Sequence, residues 1–385
     1  MPARPPAADL RSTAAREHDG ARPFPRASAT AALVTSSAVT GLGLIWLLAP
    51  GLNPFAGDDM MSLVSQALGP VAVAAAALGL GLVGVLLAVT TLRGRRADSI
   101  AAPGGAVLAA ALSITLGSVH VIAFAGYVFG AIVVGVGLVA IVVLPFRAPR
   151  LGLPLLGGSI VLIAASAWAG VTLDGITEFA GAFGRALVED APNLAVIAVT
   201  VAAMLTWAVT AVVGVGRTRG GRRFEAWLVR HRRPLTILAA AGPLPYGVAR
   251  ASWLTPWPLF GPAEGEGITA PMLATGLMLG AGAVAASVLT LGLILPWGVR
   301  FPRWIPRIGD HVVPAATAVV PGAVAAGLLC LSASPMLVSG IGDEGDPVSP
   351  LVVNLVLPFW YWGPMLALAV WAYAAWRRRG ALDAA

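Results

Sequence analysis

The stretch Gly104–Phe146, GGAVLAAALSITLGSVHVIAFAGYVFGAIVVGVGLVAIVVLPF, decides how the chain is threaded. A helix needs about 20 apolar residues to cross the hydrocarbon of a bilayer, so this run is too long for one span, and no polar loop divides it. Arg93, Arg95 and Arg96 precede the run, and Arg147 and Arg150 follow it. Arginine-rich loops stay on the cytoplasmic side, so both ends face the same way and the number of spans between them is even. Two spans joined by a turn near Gly126 satisfy this.

The same charge rule extends outward in both directions. Ten spans are expected, over residues 30–50, 68–92, 104–124, 128–146, 151–173, 193–215, 234–260, 270–297, 314–337 and 351–375. Every even-numbered span then ends in arginine: after Arg93, Arg147 and Arg150 come Arg217, Arg219, Arg222, Arg223, Arg230, Arg232 and Arg233, then Arg300, Arg303 and Arg307, and finally Arg377 to Arg379. The opposite loops carry acids: Asp58 and Asp59; Asp174, Glu178, Glu189 and Asp190; Glu264 and Glu266; Asp343, Glu344 and Asp346. Arg185 is the single basic residue on that side. A missed span would invert every later loop, so the alternation predicts an all-α, polytopic transmembrane helix bundle of about ten spans with both termini cytoplasmic.

Composition agrees. The chain is 58% hydrophobic and 11% charged, against about 25% charged in water-soluble domains, so it lacks the polar groups to cover a globule. A formal charge of +7 would suggest nucleic acid in a soluble protein; here the arginines fall between apolar runs and report topology. No nucleic-acid partner is expected. Cys330, the lone cysteine, lies within an apolar run and excludes an internal disulfide. Residues 1–28, rich in Pro, Ala and Arg without apolar periodicity, are read as a disordered cytoplasmic tail, 29–376 as the integral membrane domain, and 377–385 as a second cytoplasmic tail. The first apolar run is too long for a cleaved secretory signal and counts as a span.

Two loops carry more than charge. Ile176, Phe179, Phe183 and Leu187 share one helical face, the spacing of a short interfacial helix in the longest outer loop, though a lid that only covers neighbouring helix ends is the favoured reading. The inner segment 217–234, RTRGGRRFEAWLVRHRRP, sets Phe224, Trp227 and Leu228 among arginines, as an interfacial anchor attracted to anionic lipid headgroups would. Gly126-x-x-x-Gly130 and Gly276-x-x-x-Gly280 match the small-residue spacing that lets helices approach closely. The segment Ile45–Phe55 leaving the first span echoes Ser252–Phe260 leaving the seventh, a weak sign of a parallel repeat.

Arg250 is the residue most worth explaining, since an ionisable side chain on a spanning segment is costly. From Arg233 to Arg250 the chain covers roughly 25 Å as a helix, which puts Arg250 near the outer edge of the hydrocarbon, within snorkelling reach of the interface. Tyr246 and Trp253 lie one turn to either side, and the three together would line an outward-facing site for an anionic group. Gly242, Pro243 and Pro245 break the same span. Prolines there remove backbone donors, so a kink and displaced carbonyls are expected. His120 and Asn354 fall at a similar depth on other spans and would join the site if the helices converge. Without a nearby carboxylate or second histidine, His120 is no metal site.

The Asp58–Asp59 pair resembles the acidic pair in the first outer loop of polytopic glycosyltransferases that use lipid-linked sugars. The loop here is short and no large outer domain follows, so an ordinary acidic loop is the favoured reading. No phosphate-binding loop, zinc-peptidase helix or nucleophile turn occurs, and no cofactor or metal is expected. The loop Trp297-Gly-Val-Arg300-Phe-Pro302-Arg303-Trp304-Ile-Pro306, followed by Gly309 and Val312-Val-Pro314, together with Tyr246-x-x-x-Arg250-x-x-Trp253, resembles a group of multi-pass membrane proteins of high-GC actinobacteria with no established activity. Asp310 and His311 stand where the pattern has a more basic pair. That resemblance implies the bacterial cytoplasmic membrane and no reaction. The favoured function is non-enzymatic and transporter-like, with its site around Arg250. A membrane-embedded enzyme acting on a lipid-linked substrate and a regulatory or assembly partner are the alternatives.

Overall fold

A computed structural model describes residues 26–57, 60–93, 97–122, 141–147, 149–168, 187–260, 270–301, 309–338 and 348–382, with single positions between them. The expected span 128–146, Ile176, Phe179 and Phe183 of the expected interfacial helix, Gly126-x-x-x-Gly130, Asp58 with Asp59, and the acids at 264–266 and 343–346 lie wholly or mostly outside these residues. The described chain is all-helical, with no strand beyond one bridge between Arg300 and Val312. In order, the helices are α1 (Arg26–Leu48), α2 (Leu63–Leu68), α3 (Pro70–Leu92), α4 (Ala97–Leu116), α5 (Pro149–Trp168), α6 (Ala191–Arg217), α7 (Arg219–Arg230), α8 (Arg232–Ala241), α9 (Leu244–Ala251), α10 (Ala270–Leu291), α11 (Ala315–Val338), α12 (Val348–Val356) and α13 (Phe359–Leu382).

Among the described residues, five helical stretches are long and apolar enough to cross a membrane: Arg26–Leu48, Pro70–Leu92, Ala191–Arg217, Ala315–Leu337 and Leu351–Gly380. Shorter apolar helices occur at Ile100–Leu116, Gly152–Val161 and Gly276–Leu291. Their outward faces carry large apolar side chains: Leu86 on α3 is 66% exposed, and Val107, Val209 and Leu289 are exposed on three other helices. A water-soluble protein avoids such contiguous apolar surface, whereas lipid solvates it, and the chain is accordingly an integral membrane protein.

Among the described residues, the helices other than α5 form two bundles that share α11. In the first, α1 packs along α3, α4 along α6, and the two pairs close on each other. Its core includes Val39, Trp46, Val73, Leu108 and Trp207, and α11 contributes Leu331. In the second, α13 packs on α11 and α8, while α10 covers α8 and α9. Its core includes Ala239, Phe359, Ala369 and Tyr373, with Ala326 and Leu329 from α11. Lipid supplies no hydrophobic drive between helices, so small residues and hydrogen bonds set these contacts. A Cβ on Gly43 of α1 would stand 2.8 Å from the Ala74 carbonyl oxygen, and one on Gly105 of α4 would stand 2.8 Å from that of Trp207. The buried Trp207 indole donates to Ser36 Oγ at 3.0 Å, tying α6 to α1.

Several expected spans are interrupted. The span 104–124 stops as α4 at Leu116, because Gly117 backs onto the Leu331 carbonyl and Ser118 turns its own carbonyl to Ser332 Oγ at 3.2 Å. The span 351–375 is split at Pro358 into α12 and α13, and 234–260 into α8 and α9. The helices also run past the expected tails: α1 begins at Arg26, inside the segment 1–28, and α13 continues to Leu382, well into 377–385. In both places the helix can propagate into polar residues because its apolar part is already packed.

Candidate functional site

The break between α8 and α9 falls at Gly242 and Pro243, with Pro245 in the first turn of α9. Gly242 and Pro243 both stay in the right-handed helical region, so the chain kinks and does not unwind. The Gly242 amide donates to Ala239 at 3.2 Å, one residue short of helical register. That shift frees the Leu238 carbonyl, which accepts instead from the Tyr361 hydroxyl of α13 at 2.9 Å. A Cβ on Gly242 would meet the Trp362 ring at 2.5 Å. Glycine is thus required at the kink so that α13 can sit against it.

Beyond the kink, α9 presents Tyr246 and Arg250, and the 3-10 turn Ser252–Leu254 that follows it presents Trp253 on the same side. The Arg250 guanidinium carbon lies 5.0 Å from the Tyr246 ring centroid and 4.2 Å from that of Trp253. Trp253 is itself fixed, 7% exposed, with its indole donating to the Leu259 carbonyl at 2.8 Å. The Leu259 amide returns to Ser252 Oγ at 2.8 Å, so the chain folds back directly after α9. From the other side α10 closes on this ladder through the Gly276-x-x-x-Gly280 pair. A Cβ on Gly280 would stand 2.7 Å from Arg250 Cβ, and Gly276 faces the Trp253 ring. The small-residue motif therefore serves a contact within the chain.

Arg250 is half-buried, and its Nε is buried with no acceptor among the described residues. A guanidinium stacked on aromatic faces is held by cation–π attraction while its edge stays available for a carboxylate or phosphate. Glu264 and Glu266, the acids nearest in sequence, lie outside the described residues.

His120 and Asn354 have partners of their own. His120 is exposed, and its Nδ1 lies 3.3 Å from Ser118 Oγ. Asn354 donates through Nδ2 to the Met336 carbonyl at 3.0 Å, and the Trp360 indole donates to the Asn354 carbonyl at 3.2 Å. Both side chains are thereby tied to α11 one turn apart, at Ser332 by way of Ser118 and at Met336. Among the described residues, Tyr246 and Trp253 are the rings stacked on Arg250, while α12, which carries Asn354, lies against α9. Among the described residues no group of three or more His, Cys, Asp or Glu could hold a metal ion.

A second polar cluster, which the sequence reading passed over, surrounds the other end of α8. Arg377 donates from Nη1 to the Tyr373 hydroxyl at 2.6 Å and from Nη2 to the Val313 carbonyl at 2.6 Å. The buried Tyr373 hydroxyl donates to the Gly298 carbonyl at 2.7 Å. The loop between α10 and α11 is pinned to α13 by these bonds. Within it Asp310, the unexpected acid, has φ +64° and sits 3.9 Å from Arg300 and 3.8 Å from Arg303. Arg232 lies 3.7 Å over the Trp376 ring; burial, then the Arg233 charge, lowers its pKa from the ordinary arginine value, with Tyr373 opposing. Glu225 accepts from the Trp371 indole at 3.0 Å and from Arg378 at 2.9 Å. One acid within a segment of seven arginines was the signal available in the sequence.

Comparison of the chain with protein-family models, with curated proteins and with solved structures finds no match in any of the three. Its function must therefore be argued from the site.

Proposed function

We propose that the protein is a ten-span, non-enzymatic protein of the bacterial cytoplasmic membrane, with both termini inside, that receives an anionic group at Arg250 from the outer side. The reading rests on the Arg250 ladder: a guanidinium stacked between two rings, carrying a buried Nε that no described residue satisfies. A cation near hydrocarbon whose Nε finds no acceptor among the described residues is expensive, so its retention favours a ligand that completes it. Carboxylate and phosphate suit it best, since both accept the paired N–H bonds of a guanidinium. The orientation follows from the arginine bias of alternate loops. A kinked span beside the site supports a transporter-like role, because broken helices commonly border transporter binding sites.

The test is uptake into proteoliposomes of a panel of small carboxylates and phosphate esters, comparing the unaltered chain with Arg250→Gln and Arg250→Lys. Loss with Gln and partial retention with Lys for one class of anion supports the reading. Uptake of every solute unchanged by either substitution leaves Arg250 as an interfacial anchor and removes the proposal's main support.

A further inference from the structure

Helix α7 is not accounted for by the Arg250 reading. Single residues, Thr218 and His231, separate it from α6 and α8, and Thr218 Oγ1 caps it by accepting from the Gly221 amide at 2.9 Å. Its residues divide into three stripes. Gly221 and Leu228 are buried against the bundle, with the half-buried Glu225 between them. About a quarter turn away Phe224 and Trp227 are exposed, at 39% and 44%, and stacked with ring centroids 5.9 Å apart. Opposite the buried stripe stand Arg219, Arg223 and Arg230, all exposed.

Glu225 is the only acid between residues 217 and 233, and Arg378 and Trp371 already hold it. The arginine stripe is thus uncompensated within the segment. An acidic protein would match the arginines and leave the ring pair in water. A phospholipid surface accommodates both at once, because rings settle at the boundary of headgroup and acyl chain while arginines reach the phosphates. We propose that α7 docks on an anionic phospholipid surface, with Phe224 and Trp227 as its anchor and the Arg219–Arg223–Arg230 stripe as its charge reader. The proposal needs only that the protein is membrane-inserted; it does not rest on Arg250.

The full chain, purified in uncharged detergent and offered equal amounts of phosphatidylglycerol and phosphatidylcholine, would be examined by native mass spectrometry for retained lipid. The unaltered protein should retain phosphatidylglycerol about tenfold over phosphatidylcholine. Arg219→Gln with Arg223→Gln should bring the ratio close to one, whereas Arg300→Gln with Arg303→Gln should leave it in place. Equal retention of the two lipids by the unaltered protein, or a preference that survives the α7 substitutions, overturns the proposal. So does displacement of the lipid by millimolar inorganic phosphate, which marks a simple anion site, or binding of soluble polyglutamate without lipid preference, which marks an acidic protein partner. If the α7 variant does not purify, the unaltered protein decides alone: its preference must fall as salt rises from about 0.1 to 0.5 M, and a salt-independent preference refutes the charge reader.

Discussion

Tyr373 and Arg377, one turn apart on α13, converge on one carbonyl: the Tyr373 hydroxyl reaches Gly298 at 2.7 Å, and Arg377 donates both to that hydroxyl, at 2.6 Å, and toward the same carbonyl, at 3.5 Å. Tyr373 is fully buried, so its hydroxyl cannot turn to water instead. Tyr373→Phe leaves the Gly298 carbonyl without its closest donor and is expected to cost about 1–3 kcal/mol. Trypsin should then cut after Arg303 faster in the variant than in the unaltered protein, with a lower thermal transition in detergent. Equal cutting rates would show that the loop is held by Arg377 and Val313 alone.

Close approach between α1 and α3 is set by glycine on both helices. Gly81→Ala would drive a methyl to within 2.8 Å of Thr40 Cα and closer still to its amide, while Gly79→Ala, two residues earlier, meets nothing within 4 Å. The first should destabilise by about 1–3 kcal/mol through overpacking, and the second should be neutral or slightly stabilising through helix propensity. Thermal unfolding of the pair checks this, and similar shifts for both would contradict the packing described.

The Trp207–Ser36 bond can be measured by a double-mutant cycle. Hydrogen bonds between membrane helices average about 0.6 kcal/mol, with a maximum near 1.7. Trp207→Phe and Ser36→Ala should therefore show a coupling within that range. A coupling near zero would mean that packing alone places the Trp207 ring.

Gly280 offers a way to disturb the arginine ladder without touching its rings or charge. Gly280→Val inserts methyl groups where even a first Cβ would stand 2.7 Å from Arg250 Cβ, whereas Gly282→Val enters open space. If Arg250 binds an anion, the first variant should lose most anion uptake, and the second should keep it at comparable expression and stability.

The sequence made the helical class and the apolar stretches legible because lipid leaves the backbone no alternative to internal hydrogen bonding. The Gly242–Pro245 kink was legible too, since proline removes specific donors. Its resolution was not: that Leu238 would turn to Tyr361 depends on a helix over a hundred residues away. The stop at Gly117 was hidden for the same reason, whereas the split at Pro358 has a local sign in the proline itself. Gly117 ends α4 because its backbone meets the Leu331 carbonyl, a tertiary fact with no local sign. Two nitrogens of Arg377 serve buried carbonyls and a hydroxyl, and nothing in a run of three arginines distinguishes that one from plain loop charge.

The most direct test of the account modifies arginines from outside right-side-out vesicles with a membrane-impermeant dicarbonyl, followed by peptide mapping. The account predicts modification of Arg250 and Arg185, protection of Arg250 by the anions that the protein binds, and no reaction at Arg219, Arg222 or Arg223. Modification of the Arg219–Arg223 group with Arg250 unreacted would contradict both the threading and the outward anion site.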